Sequence, residues 1–241
     1  MNARYFILSL FVIMFAACDR PPEVVVIERT VVVTQVVTAT PSLSPLTMIS
    51  PVTGEECQGE AAIFTGGQTD AFDSSNEPEF AQQSELLIQY LREKSGYTKP
   101  LRHFDVVNVG QVFAHRFENL SPDRAKICGA LLEIQVWPDS RDNPANDSLG
   151  LAFAVIPTLN PFAWRRHLGN NAGDGTPGLM DAPWAPGDSA VSLLLDLNNL
   201  PLADGGRTSL IELLNEYNFL DIVINDDTTV DYIILTISYE P

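Results

Sequence analysis

The chain has 241 residues, of which 45% are apolar, 9% aromatic and 19% charged, the composition of a folded protein and not of a disordered or collagenous segment. Fourteen Lys and Arg stand against 31 Asp and Glu, a formal charge of −17, whose field repels phosphate backbones and anionic bilayers and argues against nucleic acid as a partner. At roughly 150 residues per domain, the length allows one folded domain and a fraction.

The chain opens with Arg4 and an apolar run, Tyr5 to Phe15, broken only by Ser9. That is the length of a signal-peptide apolar region and is short for a membrane span, so residues 1–17 are expected to be a secretion signal. The run closes on Phe15, Ala16, Ala17 and Cys18, which resemble the lipobox of bacterial lipoproteins: two small residues, then the cysteine that receives diacylglycerol. Phe15 stands where Leu is usual in that motif. The resemblance implies cleavage before Cys18, lipidation of Cys18, and an extracytoplasmic location with the bacterial cell membrane as a partner through the lipid anchor.

Residues 18–54 read as a tether. Val24, Val25, Val26, Ile27 and then Val31, Val32, Val33 alternate in blocks with Thr, and β-branched residues resist helix and favour extended chain. The stretch Val33 to Pro41 resembles the stalk that follows the lipobox in surface lipoproteins of some bacterial lineages, and Pro, Ser and Thr continue it to Thr53. A first strand of the domain is the alternative reading of this segment.

From residue 55 to 241 the dominant period is two. Phe113, His115 and Phe117 share a face, as do Leu132, Ile134 and Val136, then Leu149, Leu151, Phe153 and Val155, then Val191, Leu193, Leu195 and Leu197. Leu220, Ile222 and Ile224 form a further strand, Val230 to Tyr239 another, and the polar loop Asn225 to Thr229 between them predicts a hairpin. Helical spacing occurs at Ser84 to Lys94 and Ser209 to Tyr217, each with a Ser placed as N-cap. Strands that outnumber helices leave no crossovers for a parallel sheet. The expected fold is mainly β, an antiparallel β-sandwich of jelly-roll type with two short helices. Gly129 to Ile134, Asn146 to Leu149, Trp164, Trp184 with Gly187, Leu220 to Ile222 and Val230 to Tyr232 also resemble a recurrent secreted bacterial β-sandwich domain of undefined function. That resemblance implies the fold and brings no catalytic residues.

Lipidation of Cys18 would leave Cys57 and Cys128 as a pair outside the reducing cytoplasm, either bridged or with Cys128 as a buried thiol. Gly187, Asp188 and Ser189 look like the nucleophile block of GDS-type esterases, but a strand follows where that block needs a helix, and no His lies downstream to serve as base. His103, His115 and His167 lack zinc spacing, and His115 between two Phe reads as a core histidine.

Three oxygen-rich loops suit calcium or simple turn formation: Asp70, Asp73, Asn76 and Glu77; Asp139, Asp142, Asn146 and Asp147; and Asn225, Asp226, Asp227 with Asp231. The last is the preferred calcium set, because Asn225, Asp226 and Asp227 crowd their charge within three residues. Trp164 and Trp184, in the Pro and Gly-rich region from Pro157 to Gly187, either stack on a ligand or form a small core under a loop. The functional expectation is a lipid-anchored extracytoplasmic module without catalytic activity, binding a glycan or a cell-surface partner. The alternative is a hydrolase acting on extracellular polymers through paired carboxylates.

Overall fold

Alternation along the strands builds two antiparallel sheets whose apolar faces meet. The computed structural model describes residues 47–48, 57, 59–75, 77, 83–94, 96–98, 101–106, 110–138 and 144–241. The expectations for the signal peptide, Cys18, Asn76, Asp139, Asp142 and all of the tether but two residues lie outside these. In chain order the elements are β1(Thr47–Met48), β2(Ala61–Gly67), α1(Glu85–Lys94), β3(Gln111–Glu118), β4(Ile127–Pro138), β5(Ser148–Ala152), β6(Phe162–His167), β7(Val191–Asp196), β8(Leu200–Pro201), β9(Arg207–Thr208), α2(Ile211–Tyr217), β10(Phe219–Asp226) and β11(Thr228–Tyr239).

One sheet has the order β1-β7-β4-β11-β2 and the other β3-β10-β5-β6, with β8 and β9 paired as a small ribbon. All pairs are antiparallel except β1 with β7, where Thr47 and Met48 of the expected tether lie beside Leu193 and Leu194. That pairing favours the first-strand reading for these two residues. Leu132, Ile134, Val136, Leu193, Leu195, Ile233, Leu235 and Ile237 from the first sheet pack against Phe113, Phe117, Leu149, Leu151, Leu220, Ile222 and Ile224 from the second. Residues two apart point the same way from a strand, so the period of two read in the sequence is the inner face of this sandwich.

The outer face of the second sheet is covered as well. Val112, Ala114 and Val223 pack under Leu87 and Leu91 of α1, which is why β3 and β10 are apolar on both faces. Ser84 caps α1 by accepting from the Leu87 amide at 3.3 Å. Ser209 does not cap α2: the helix starts at Ile211, its N-cap position is Leu210, and its C-cap Asn218 takes the left-handed conformation at φ 58°.

Two expectations are corrected. The strands over Leu220 to Ile224 and Val230 to Tyr239 are not a hairpin, because β10 pairs with β3 and β5 while β11 pairs with β4 and β2. The link at Asp227 carries the chain from one sheet to the other, and a short polar link serves either path. Asp147 holds this crossing, its Oδ2 accepting from the Asp227 amide at 3.0 Å and from the Thr228 hydroxyl. The region from Pro157 to Gly187 is not wholly loop either, since it contains β6, paired with β5. Cys57 and Cys128 are joined in a disulfide with Cα atoms 5.6 Å apart, tying the chain before β2 to the start of β4.

Candidate functional site

Four carboxylates from three segments converge at one end of the sandwich. Asp70 and Glu77 lie in the connection after β2, Asp105 in the turn before β3, and Asp231 in β11 where its register against β4 shifts between Val230 and Ile233. Such a bulge re-aims side chains. Ligand-capable atoms of Asp70, Asp105 and Asp231 lie within 4.8 Å of one another. Asp105 is 4% exposed and Asp231 is 0% exposed.

The backbone is shaped around the group. Ala71, Phe72 and Asp105 take φ of 64°, 66° and 56°, a region that non-glycine residues visit at a cost. Gly67, at φ +74°, could not carry a Cβ, which would lie 2.3 Å from the Asp231 carbonyl oxygen and 2.6 Å from the Phe104 ring. The Asp105 amide donates to Val230 O at 2.8 Å and the Phe72 amide to Asp231 Oδ1 at 3.2 Å. The Asp73 amide donates to Asp70 Oδ1 at 3.0 Å, and the Gln68 amide to Glu77 Oε1 at 2.7 Å.

These amides satisfy one oxygen each of Asp70, Glu77 and Asp231. Asp70 Oδ2, Glu77 Oε2, Asp231 Oδ2 and both oxygens of Asp105 are buried and accept no hydrogen bond from outside the group, while the Asp105 carboxyl lies within hydrogen-bonding reach of Asp231 and Glu77. Two charges 4.8 Å apart repel by roughly 3 kcal/mol at an effective dielectric constant of about 20. Burial first, then the like charges of Asp231, Glu77 and Asp70, push the Asp105 carboxyl up to about 8. Burial also raises Glu77 and Asp231, against the amides that stabilise their charged forms. The arrangement can retain protons or hold a cation.

The loop expected to bind calcium is dispersed. Of its three residues with described side chains, only Asp231 joins the cluster. Asn225 Oδ1 accepts from the Ser148 hydroxyl at 2.7 Å and from Arg165 at 3.3 Å. Asp227 Oδ1 accepts from the Gly110 amide at 3.0 Å, which ties the crossing to the start of β3. The Asp226 side chain lies outside the described residues. The sheet crossing explains the dispersal: Asp231 sits on β11 and Asn225 on β10, in different sheets. Asp70 and Glu77 were legible as an oxygen-rich loop. Asp105 was not, since one carboxylate in a His-Phe-Asp turn carries no spacing signal.

Trp164 and Trp184 are both buried, so neither stacks on a ligand. Trp164 on β6 donates its indole N–H to Pro201 O at 2.8 Å, and Trp184 donates to Thr228 Oγ1 at 2.8 Å. They belong to the main core, where large aromatics contribute most by burial. His115 is a core histidine, between Phe104 and Phe117 at ring distances of 5.4 and 4.6 Å. His167 stands with Asp174, Nε2 to Oδ2 at 3.0 Å, on a partly exposed edge.

What lies exposed instead is aliphatic. Val155, Ile156 and Leu159, in the loop between β5 and β6, are 44%, 47% and 58% exposed. They rim a cavity of about 260 Å³ floored by Phe153, Pro161, Leu213 and Tyr217. A second cavity of about 240 Å³ lies beside α1 between Leu91, Tyr97, Phe162, Arg165 and Asn225. Among the described residues, neither cavity is lined by a carboxylate. Among the described residues, no helix is long and apolar enough to cross a membrane.

No family model matches the chain, and no curated protein does. Among solved structures, the chain is similar to dimeric latent PorU from Porphyromonas gingivalis, at 10% identity and a TM-score of 0.31. The similarity covers 78% of this chain and 14% of that one, so the chain spans a small part of that protein's length.

Proposed function

We propose that the chain is a lipid-anchored extracytoplasmic binding module without catalytic activity, a sandwich of jelly-roll type held to the bacterial cell membrane through Cys18, which docks a cell-surface protein on its β5–β6 loop. The observation that carries the docking is the rim of Val155, Ile156 and Leu159 over the Phe153 and Tyr217 cavity. Clustered exposed aliphatic side chains mark interaction surfaces, and a net charge of −17 favours a protein over an anionic bilayer as what covers them.

Two further observations support the reading. A disulfide such as Cys57–Cys128 persists in oxidising compartments. The eight longer strands, taken in chain order from β2, cross between sheets at every connection except β5 to β6, in the manner of two interlocked Greek keys. The hydrolase alternative has less support: of the convergent carboxylates Asp105 and Asp231 are buried, and among the described residues the two cavities are lined by no acid. A glycan ligand has lost its stacking argument with the burial of both Trp.

The test is site-specific photo-crosslinking in cells, with the crosslinker placed at Leu159 of the full-length chain and, as control, at Ile63, which is 68% exposed on the outer face of the other sheet. The reading predicts a discrete protein adduct from Leu159 that disappears when Val155 and Ile156 are both changed to Ser. Equal adducts from Leu159 and Ile63, or none from Leu159, would contradict it.

A further inference from the structure

We propose that Asp70, Glu77, Asp105 and Asp231 bind one calcium ion that fastens the connection after β2 to the bulge of β11. The inference is independent of the docking and anchoring described above, and rests on what the four side chains leave unsatisfied. Buried carboxylate oxygens in folded proteins have donors or a metal. Here five have no donor outside the group, namely Asp70 Oδ2, Glu77 Oε2, Asp231 Oδ2, and Oδ1 and Oδ2 of Asp105; only a proton on the Asp105 carboxyl, which faces Asp231 and Glu77 at hydrogen-bonding range, could bond any of them. The two residues contributing three of these oxygens are the most deeply buried of the four, Asp105 at 4% and Asp231 at 0% exposure.

A proton shared between two carboxylates satisfies one acceptor and leaves the rest facing one another. A cation at the centre satisfies all five at once. The donor set names the cation: it is wholly oxygen and wholly carboxylate, which suits a hard ion and not a soft one. Atoms of Asp70, Asp105 and Asp231 span no more than 4.8 Å, twice a calcium–oxygen distance of about 2.4 Å, whereas magnesium needs a tighter octahedron at about 2.0 to 2.1 Å and keeps several waters. Five protein oxygens with one or two waters complete a shell of six or seven, within the range calcium takes.

The second coordination layer is already in place. The Phe72 amide on Asp231, the Asp73 amide on Asp70 and the Gln68 amide on Glu77 each hold a carboxylate by one oxygen and turn the other inward. Phe72 also packs on Trp137 with ring centroids 5.9 Å apart, which places an indole near the site.

The experiment uses the full-length chain in detergent micelles, stripped with EDTA and dialysed. Calcium chloride at about 1 mM is expected to raise the melting temperature by about 5 to 10 °C, the shift that mass action gives for a dissociation constant near 10 μM and a domain of this size. Terbium should show luminescence on excitation of Trp137 and lose it when calcium is added. Asp105→Asn and Asp231→Asn should each abolish both responses, while melting in EDTA at or above the wild-type temperature because each removes an ionisable group that burial among carboxylates disfavours. Asp204→Asn, an exposed carboxylate in the β8–β9 turn that accepts from the Gly206 amide, should keep both. A melting temperature indifferent to calcium, an equal rise with magnesium at the same concentration, or a calcium response that survives Asp105→Asn and Asp231→Asn would overturn the assignment.

Discussion

His115 makes a prediction whose size follows from its surroundings. It lies mid-strand in β3, opposite Ile222, 6% exposed between two Phe rings, and its Nδ1 has no hydrogen-bond partner. Burial drives its pKa down from 6.5 to about 4. In that interval the unfolded chain takes up a proton that the folded one refuses. The resulting stability is whole above pH 6.5 and is lost as pH falls toward 4. At about 1.4 kcal/mol per pH unit the loss reaches about 3 kcal/mol by pH 4. Asp105 titrates with the opposite sign, since its raised pKa makes the folded form hold its proton between about 4 and about 8. The stability of the wild type alone would mix the two. Urea unfolding of wild type and His115→Leu should therefore be compared in EDTA at several pH values from 7 to 4. The variant lacks the histidine proton and keeps Asp105, so the difference isolates one group. The wild type should lose about 3 kcal/mol relative to the variant across the range. A difference that does not change with pH would refute the burial argument and mean that the folded imidazole accepts the proton.

Reduction of Cys57–Cys128, which closes a sequence separation of 71, should lower stability in urea by about 4 kcal/mol on the chain-entropy account, and thiol labelling of the unreduced, denatured protein should find neither cysteine free. Asp221 takes two hydrogen bonds of 2.7 Å from Arg116 and is fully buried, so Asp221→Asn should cost roughly 3 kcal/mol by thermal or chemical unfolding, because the guanidinium loses its buried charge partner and keeps only the half-exposed Glu118 at 3.7 Å.

Much of the sandwich was legible because its inner faces alternate cleanly. Leu132, Ile134 and Val136 of β4, or Leu149 and Leu151 of β5, show a period of two that only a half-buried strand explains. β6 was obscured because its residues are Phe-Ala-Trp-Arg-Arg-His. Trp164 and Arg166 point inward, and the buried Arg166 satisfies part of its guanidinium on Pro177 and Gly178 carbonyls, so polarity did not mark the exposed face. The link from β10 to β11 was misread because turn composition reports a short polar connection without saying which sheet receives the next strand. The carboxylate cluster was half visible. Asp70, Glu77 and Asp231 stood in acidic stretches, but their meeting depends on a bulge in β11 and on left-handed backbone at Ala71, Phe72 and Asp105, which no local pattern specifies.

The most direct test of the account is the mass of the N-terminal peptide from the protein extracted from bacterial membranes. Lipid anchoring predicts a chain that begins at Cys18 and carries a diacylglyceryl group there, with Cys18→Ala releasing the protein into the soluble fraction. An unmodified N-terminus at Met1 or at any residue other than Cys18, or a Cys18→Ala protein that still partitions with detergent like the wild type, would contradict it.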